Sequence, residues 1–105
     1  MNTPPDCSDM ADIRAEIDRI DAGLVRLLAE RAAYIDRAAV IKAVAGLPAR
    51  ITPRVEQVVA NVRDHAQAHG LSPDLVEMLW RRLIDWSIAR EETRLGPDSD
   101  RKDIR

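Results

Sequence analysis

Apolar residues recur at every seventh position from Ile13 to Ile41. Ile13, Ile20, Leu27, Tyr34 and Ile41 make one row, and Ile17, Leu24, Ala38 and Ala45 make the next, with Arg31 standing inside the second row. A seven-residue repeat sustained over that distance is the pattern of a helix that offers one stripe to a partner. The helix opens near Ser8 or Asp9, where Asp9, Asp12 and Glu16 suit its positive end, and closes at Gly46 ahead of Pro48. It is therefore about 35 residues and roughly 50 Å long, more than two shorter helices of one small chain can cover. A second copy of the chain is the natural cover, which predicts an intertwined helical homodimer.

The rest of the chain supplies those shorter helices. Thr52-Pro53 reads as a cap followed by the proline that the first helical position tolerates, and this second helix ends at His69-Gly70. Ser72-Pro73-Asp74 repeats the opening signal, and Gly96-Pro97 stops the third helix after Leu95. Aromatic residues are only 3% of the sequence and no stretch alternates at period two, so the chain reads as all-α with three helices. The expected organisation is a flexible N-terminus over 1–8, one helical domain over 9–96, and a flexible charged tail over 97–105.

Charge and composition exclude several roles. Sixteen basic and eighteen acidic residues are interleaved to a net charge of -2, which advertises no field for nucleic acid. Apolar runs such as Ala38-Ala39-Val40-Ile41 are far too short to span a membrane, and residues 1–10 lack the pattern of a signal peptide. A single Cys7 has no internal partner for a disulfide or a zinc cluster. These features together place the protein in the cytoplasm, with Cys7 incidental.

Three cations stand where the helical pattern makes them informative. Arg31 and Lys42 are separated by almost three whole turns, so they leave nearly the same face about 16 Å apart at the backbone. Long side chains from both could converge on one small ligand. Arg14 lies roughly 25 Å from Arg31 along the axis and about 100° around it, so it could meet that ligand only from a partner subunit. On the third helix Leu75, Leu79 and Leu83 form an i+4 row that continues through Ser87 and Glu91, replacing apolar groups by a hydroxyl and a carboxyl. Arg54 adds a guanidinium at the start of the second helix. Such a set suits a compact dianion whose carboxylates are gripped by arginine forks. Each of these residues also has a plainer reading: a helical arginine is usually solvated or paired, and an i+4 row drifts off a core face. His65 and His69 lie one turn apart but have no third ligand at metal-binding spacing, and Trp80 and Trp86 read as packing anchors.

The segment from Asp12 to Glu92 resembles the all-helical chorismate mutases and their relatives, the isochorismate pyruvate lyases. The likeness rests on Ile13-Arg14-Ala15-Glu16-Ile17-Asp18-Arg19-Ile20-Asp21, on Leu27-Leu28-Ala29-Glu30-Arg31, on Ile41-Lys42, on Pro53-Arg54-Val55 and on Leu79-Trp80-Arg81-Arg82-Leu83-Ile84-Asp85-Trp86-Ser87-Ile88-Ala89-Arg90-Glu91. The stretch from Thr3 to Arg19 looks especially like the lyase branch. The resemblance implies an intertwined dimer with two equivalent pockets, each borrowing Arg14 from the neighbour. It implies that Arg31 holds a substrate carboxylate, that Lys42 reaches the ether oxygen and a carboxylate, that Arg54 and Ser87 touch substrate, and that Glu91 faces the same ether oxygen. No cofactor or metal is implied, because a concerted pericyclic shift needs neither.

Two positions depart from the usual mutase pattern. Mutases carry Glu directly after the arginine matched by Arg54, where this chain has Val55, and Ile51 replaces a commonly acidic residue; both resemble the lyases. Glu91 stands where the comparable lyase has Gln, and a carboxyl must carry its proton to donate to an ether oxygen, so activity is expected to rise on acidification. The expected function is conversion of chorismate to prephenate. Isochorismate pyruvate lyase activity is the alternative, and a non-catalytic helical module for ligand binding or dimerisation is the alternative of another class.

Overall fold

The computed structural model describes residues 1–95, so the expected tail at 97–105 and the Gly96-Pro97 stop lie outside the described residues. A short 3-10 turn at Pro4–Asp6 precedes three helices, α1 (Met10–Ala45), α2 (Thr52–Ala68) and α3 (Pro73–Leu95), and there is no strand among the described residues. The chain divides into two compact units, Met1–Tyr34 and Ile35–Arg105, and α1 contributes residues to both.

In the first unit, local hydrogen bonds start α1. Asp9 Oδ1 accepts from the Asp12 backbone N–H at 2.9 Å, which makes Asp9 the capping residue of the two candidates. The Asp12 carboxylate in turn accepts from the Ser8 N–H and hydroxyl, both at 3.0 Å. Those donors, the backbone N–H first, hold the Asp12 carboxyl below its ordinary range. The preceding residues are tied back as well, since the Asn2 N–H donates to Glu16 Oε2 at 3.2 Å. Ile13, Ile17, Ile20, Leu24 and Leu27 are all exposed in the single chain. The apolar rows are therefore present on the helix and uncovered in the single chain.

The second unit begins with the last turns of α1. Gly46 takes a left-handed φ of 73° and lets the Leu47 N–H reach back to the Lys42 carbonyl at 2.9 Å, which closes the helix. Gly70 and Leu71 repeat the device at the end of α2, with the Leu71 N–H on the Ala66 carbonyl at 2.9 Å. Ser72 caps α3 by accepting from the Leu75 N–H at 3.2 Å. The start of α2 differs from the sequence expectation. Thr52 is already helical and the cap is Ile51, which has no side-chain cap bond. The Ile51 carbonyl accepts from both the Arg54 and Val55 N–H groups, so the backbone ladder begins one residue before the proline signal suggests.

Val55, Val59, Val62 and Ala66 follow the helical period along α2 and meet α3 in two apolar clusters. Ala49, Val59, Ile84, Ile88 and Leu95 form the first, with Val55 and Val58 against it; Val62, Ala66 and Val76 form the second, with Trp80 against it. Each fully buried Val or Ile contributes about 1.5–3 kcal/mol. An ion-pair network crosses the same seam. Arg81 reaches Glu56 at 3.0 Å and Glu77 at 2.7 Å, and Arg63 reaches Glu77 at 2.8 Å and Asp74 at 3.0 Å. Their arginine partners hold Glu56 and Glu77 below the usual carboxylate range.

Candidate active site

The i+4 row of α3 is divided in an unexpected sense. Leu75 and Leu79, which the sequence pattern places on a core ridge, are exposed in the single chain, Leu79 by 50%. Ser87 and Glu91, the polar continuation of that row, are buried, Glu91 to 4% exposure. A helix face that turns its leucines outward and its carboxyl inward is not serving a single-chain core. Burying an ionised carboxyl is costly unless a cation and hydrogen bonds meet it.

Lys42 meets it. The Lys42 Nζ lies 2.6 Å from Glu91 Oε1, joining the last turns of α1 to the end of α3 across 49 positions of sequence. The same ammonium donates to the Ala49 carbonyl at 2.7 Å, in the loop between α1 and α2. The Lys42 side chain is 18% exposed, so the pair sits at the edge of the interior and not in open solvent. Ser87, one turn before Glu91, donates its hydroxyl to the Leu83 carbonyl at 2.8 Å. The loop carrying Ala49 is fastened to α3 by Arg50, whose Nη2 lies 2.8 Å from Asp85 Oδ1.

The structure thus brings Lys42 and Glu91 together, with Ser87 on the same buried side of α3. Arg54 is exposed on the first turn of α2 and donates to Gln57 Oε1 at 2.8 Å, so its guanidinium is engaged locally. Arg14 is exposed and Arg31 half-buried, both on the part of α1 that belongs to the first unit. The Ala49 carbonyl escaped the sequence reading because a backbone acceptor has no residue-type signature. The two tryptophans also separate: Trp80 packs against the second apolar cluster, whereas Trp86 is half exposed with the Arg90 guanidinium 5.3 Å from its ring centre.

Chemically, the arrangement is a half-buried ammonium beside a buried carboxyl. With the carboxyl ionised the two neutralise each other. With the carboxyl protonated, the pair becomes two donors able to serve an oxygen on which negative charge grows. Among the described residues no group of three or more His, Cys, Asp or Glu could hold a metal ion, and no helix is long and apolar enough to cross a membrane.

Comparison with known proteins is consistent across most of the chain. Residues 13–92 match the family described as chorismate mutase type II. An isochorismate pyruvate lyase of Pseudomonas aeruginosa is 39% identical over 92 residues, covering 87% of this chain and 89% of that protein. The T-protein of Enterobacter agglomerans is 31% identical over 87 residues, and that of Haemophilus influenzae 33% over 82. Those alignments cover 83% and 78% of this chain but only 23% and 22% of the T-proteins.

Proposed function

The chain belongs to the chorismate mutase type II family, and from that premise we propose that it converts chorismate to prephenate as a cytoplasmic homodimer. The observation that carries this reading is the pair of half-buried Lys42 and buried Glu91, 2.6 Å apart. In the rearrangement the ether C–O bond of the substrate breaks as a C–C bond forms, and negative charge gathers on the ether oxygen between them. Lys42 is the permanent donor to that oxygen. Glu91 is the second donor when it carries a proton. Neither nucleophile, metal nor cofactor is required.

The remaining roles follow the helical spacing and the family likeness. Arg31 takes one substrate carboxylate, Arg14 of the partner subunit takes another, and Arg54 and Ser87 line the pocket. Holding both carboxylates restrains the substrate in its folded, reactive shape, which converts lost freedom into rate. The exposed apolar rows of α1 and the exposed Leu75 and Leu79 of α3 support a second copy as their cover.

A second reading, isochorismate pyruvate lyase giving salicylate and pyruvate, is favoured by the Pseudomonas aeruginosa relative and by the apolar Ile51 and Val55 around the start of α2. The test is to incubate the protein separately with chorismate and isochorismate at about pH 5 and about pH 7.5 and to follow prephenate and salicylate. Prephenate supports the proposal. Salicylate moves the protein to the lyase branch, and binding of either substrate without turnover leaves a ligand-binding module. Within the mutase reading, Glu91→Gln supplies a donor that needs no added proton and raises kcat/KM near neutrality; no gain there would remove Glu91 from the donor role.

A further inference from the structure

Beside the Lys42–Glu91 pair, a second polar link joins the same two helices. Asp36 lies on α1 six residues, or about 9 Å of rise, before Lys42. Arg90 is the residue immediately before Glu91 on α3. The Arg90 Nε and Nη2 donate to the two oxygens of Asp36 at 2.6 and 2.9 Å, a fork on a carboxylate. The centre of the same guanidinium lies over the Trp86 ring, one turn earlier on α3, 5.3 Å from its centroid. Arg90 is therefore held by two protein groups, Asp36 of α1 through hydrogen bonds and Trp86 of α3 through its ring.

The setting explains why such a device is useful. The two apolar clusters of this unit are built from α2, α3 and the loop residue Ala49. The hydrophobic drive for burial has no direction of its own, whereas a planar fork fixes distance and angle together. A slip of α1 against α3 would part Lys42 from Glu91, and a misplacement of about 1 Å at a reacting centre can cost 100-fold in rate. Asp36 and Arg90 are 47% and 43% exposed, so the pair adds little to stability as an isolated surface bridge. Its worth is directional.

We propose that Asp36 and Arg90, steadied by Trp86, are positioning residues that hold the last turns of α1 in register with α3 so that Lys42 and Glu91 meet at the reacting oxygen. The catalytic part of this inference rests on the function proposed above; the geometric part does not.

The experiment reads both parts. Asp36→Asn is expected to lower kcat about tenfold with KM within about twofold of the parent, and Asp36→Glu to recover most of the loss. Asp36→Asn/Arg90→Gln is expected to fall no further than either single change, because both break one link. Glu56→Gln, which removes a comparable exposed pair on the α2–α3 seam, leaves kcat unchanged. Independently of any substrate, Lys42 is one of two lysines in the chain, so 15N-lysine labelling displays its ammonium directly. That signal shifts or broadens in Asp36→Asn and stays in place in Glu56→Gln. An unmoved Lys42 signal in Asp36→Asn overturns the proposal, whatever the substrate proves to be. So does a rise in KM with kcat held, which assigns the pair to substrate attraction, or a fall in kcat matched by loss of folded protein. If the parent turns over neither chorismate nor isochorismate, the functional reading fails and the ammonium signal alone decides the geometric one.

Discussion

Against α2 and the loop before it, α3 lays Val76, Trp80, Ile84, Ile88 and Leu95 into two apolar clusters, and an outer network of Arg63, Arg81, Glu56, Glu77 and Asp74 runs over them. Against residues 35–45 of α1 the same helix presents Arg90 and Glu91, which meet Asp36 and Lys42. The first seam is held mainly by burial, which has magnitude but little direction. Beside the buried Ala39 of α1, the second carries charged groups whose geometry is specific, and among them the burial of Glu91 is the costly part. A fold spends stability on such a seam where it needs charges at defined places, and the candidate site lies on that seam.

The comparison can be broken most severely at Lys42. Lys42→Met removes the ammonium and leaves the α2–α3 clusters untouched, so turnover is expected to fall by about 100- to 1,000-fold. Because Lys42→Met alone strands the buried Glu91 carboxyl, the structural control is Lys42→Met/Glu91→Gln, in which hydrogen exchange of α2 and α3 amides should remain near parental protection. Loss of that protection would mean the two seams are one cooperative structure.

Ile84→Ala attacks the other seam. It opens a void in the first cluster and is expected to cost about 2–5 kcal/mol of stability, read from denaturant unfolding, while kcat measured well below the melting temperature stays near the parent. A collapse of kcat in protein that is still folded would show that the apolar seam, too, sets the position of Lys42 and Glu91.

Acid sharpens the distinction more gently. Hydrogen bonds from Arg90 hold Asp36 below its ordinary range, and Arg81 does the same for Glu56 and Glu77. A carboxyl depressed in the folded state contributes stability that is complete above the ordinary range, near pH 4, and is lost as pH falls through the lowered value. The melting temperature is therefore expected to hold down to about pH 5 and to decline below about pH 4. Because α2 and α3 keep their apolar clusters in acid, amides of residues 35–45 should lose exchange protection before those of α2 and α3. Simultaneous loss would contradict the proposed division of labour.

Much of this was legible in the residues. Asp9, Gly46, Gly70 and Ser72 mark helix ends because each does something local: a carboxyl or hydroxyl accepts a free N–H, or a residue without Cβ takes a left-handed φ. The misread start of α2 has the same origin, since Thr52 looks like a cap but the Ile51 carbonyl had already opened the ladder. At the site, Ser87 and Glu91 stood out as polar groups continuing an apolar row, and Lys42 as a cation sharing a face with Arg31. Asp36 and Arg90 did not, because a charged residue on a helix surface is the ordinary case, and only its partner distinguishes it.

The sequence by itself determined the helices, most of their ends, the apolar rows of α1 and the family, all of which depend on period, local hydrogen bonding and residue order. Only the tertiary structure decided that Glu91 lies inside while Leu79 lies outside, that Lys42 spends its donors on Glu91 and the Ala49 carbonyl, and that Arg90 is clamped between Asp36 and Trp86. A helical period says which residues share a face. Which residue of another helix that face meets depends on how the two helices pack, and an ion pair between positions 42 and 91 exists only once that packing has brought them within reach.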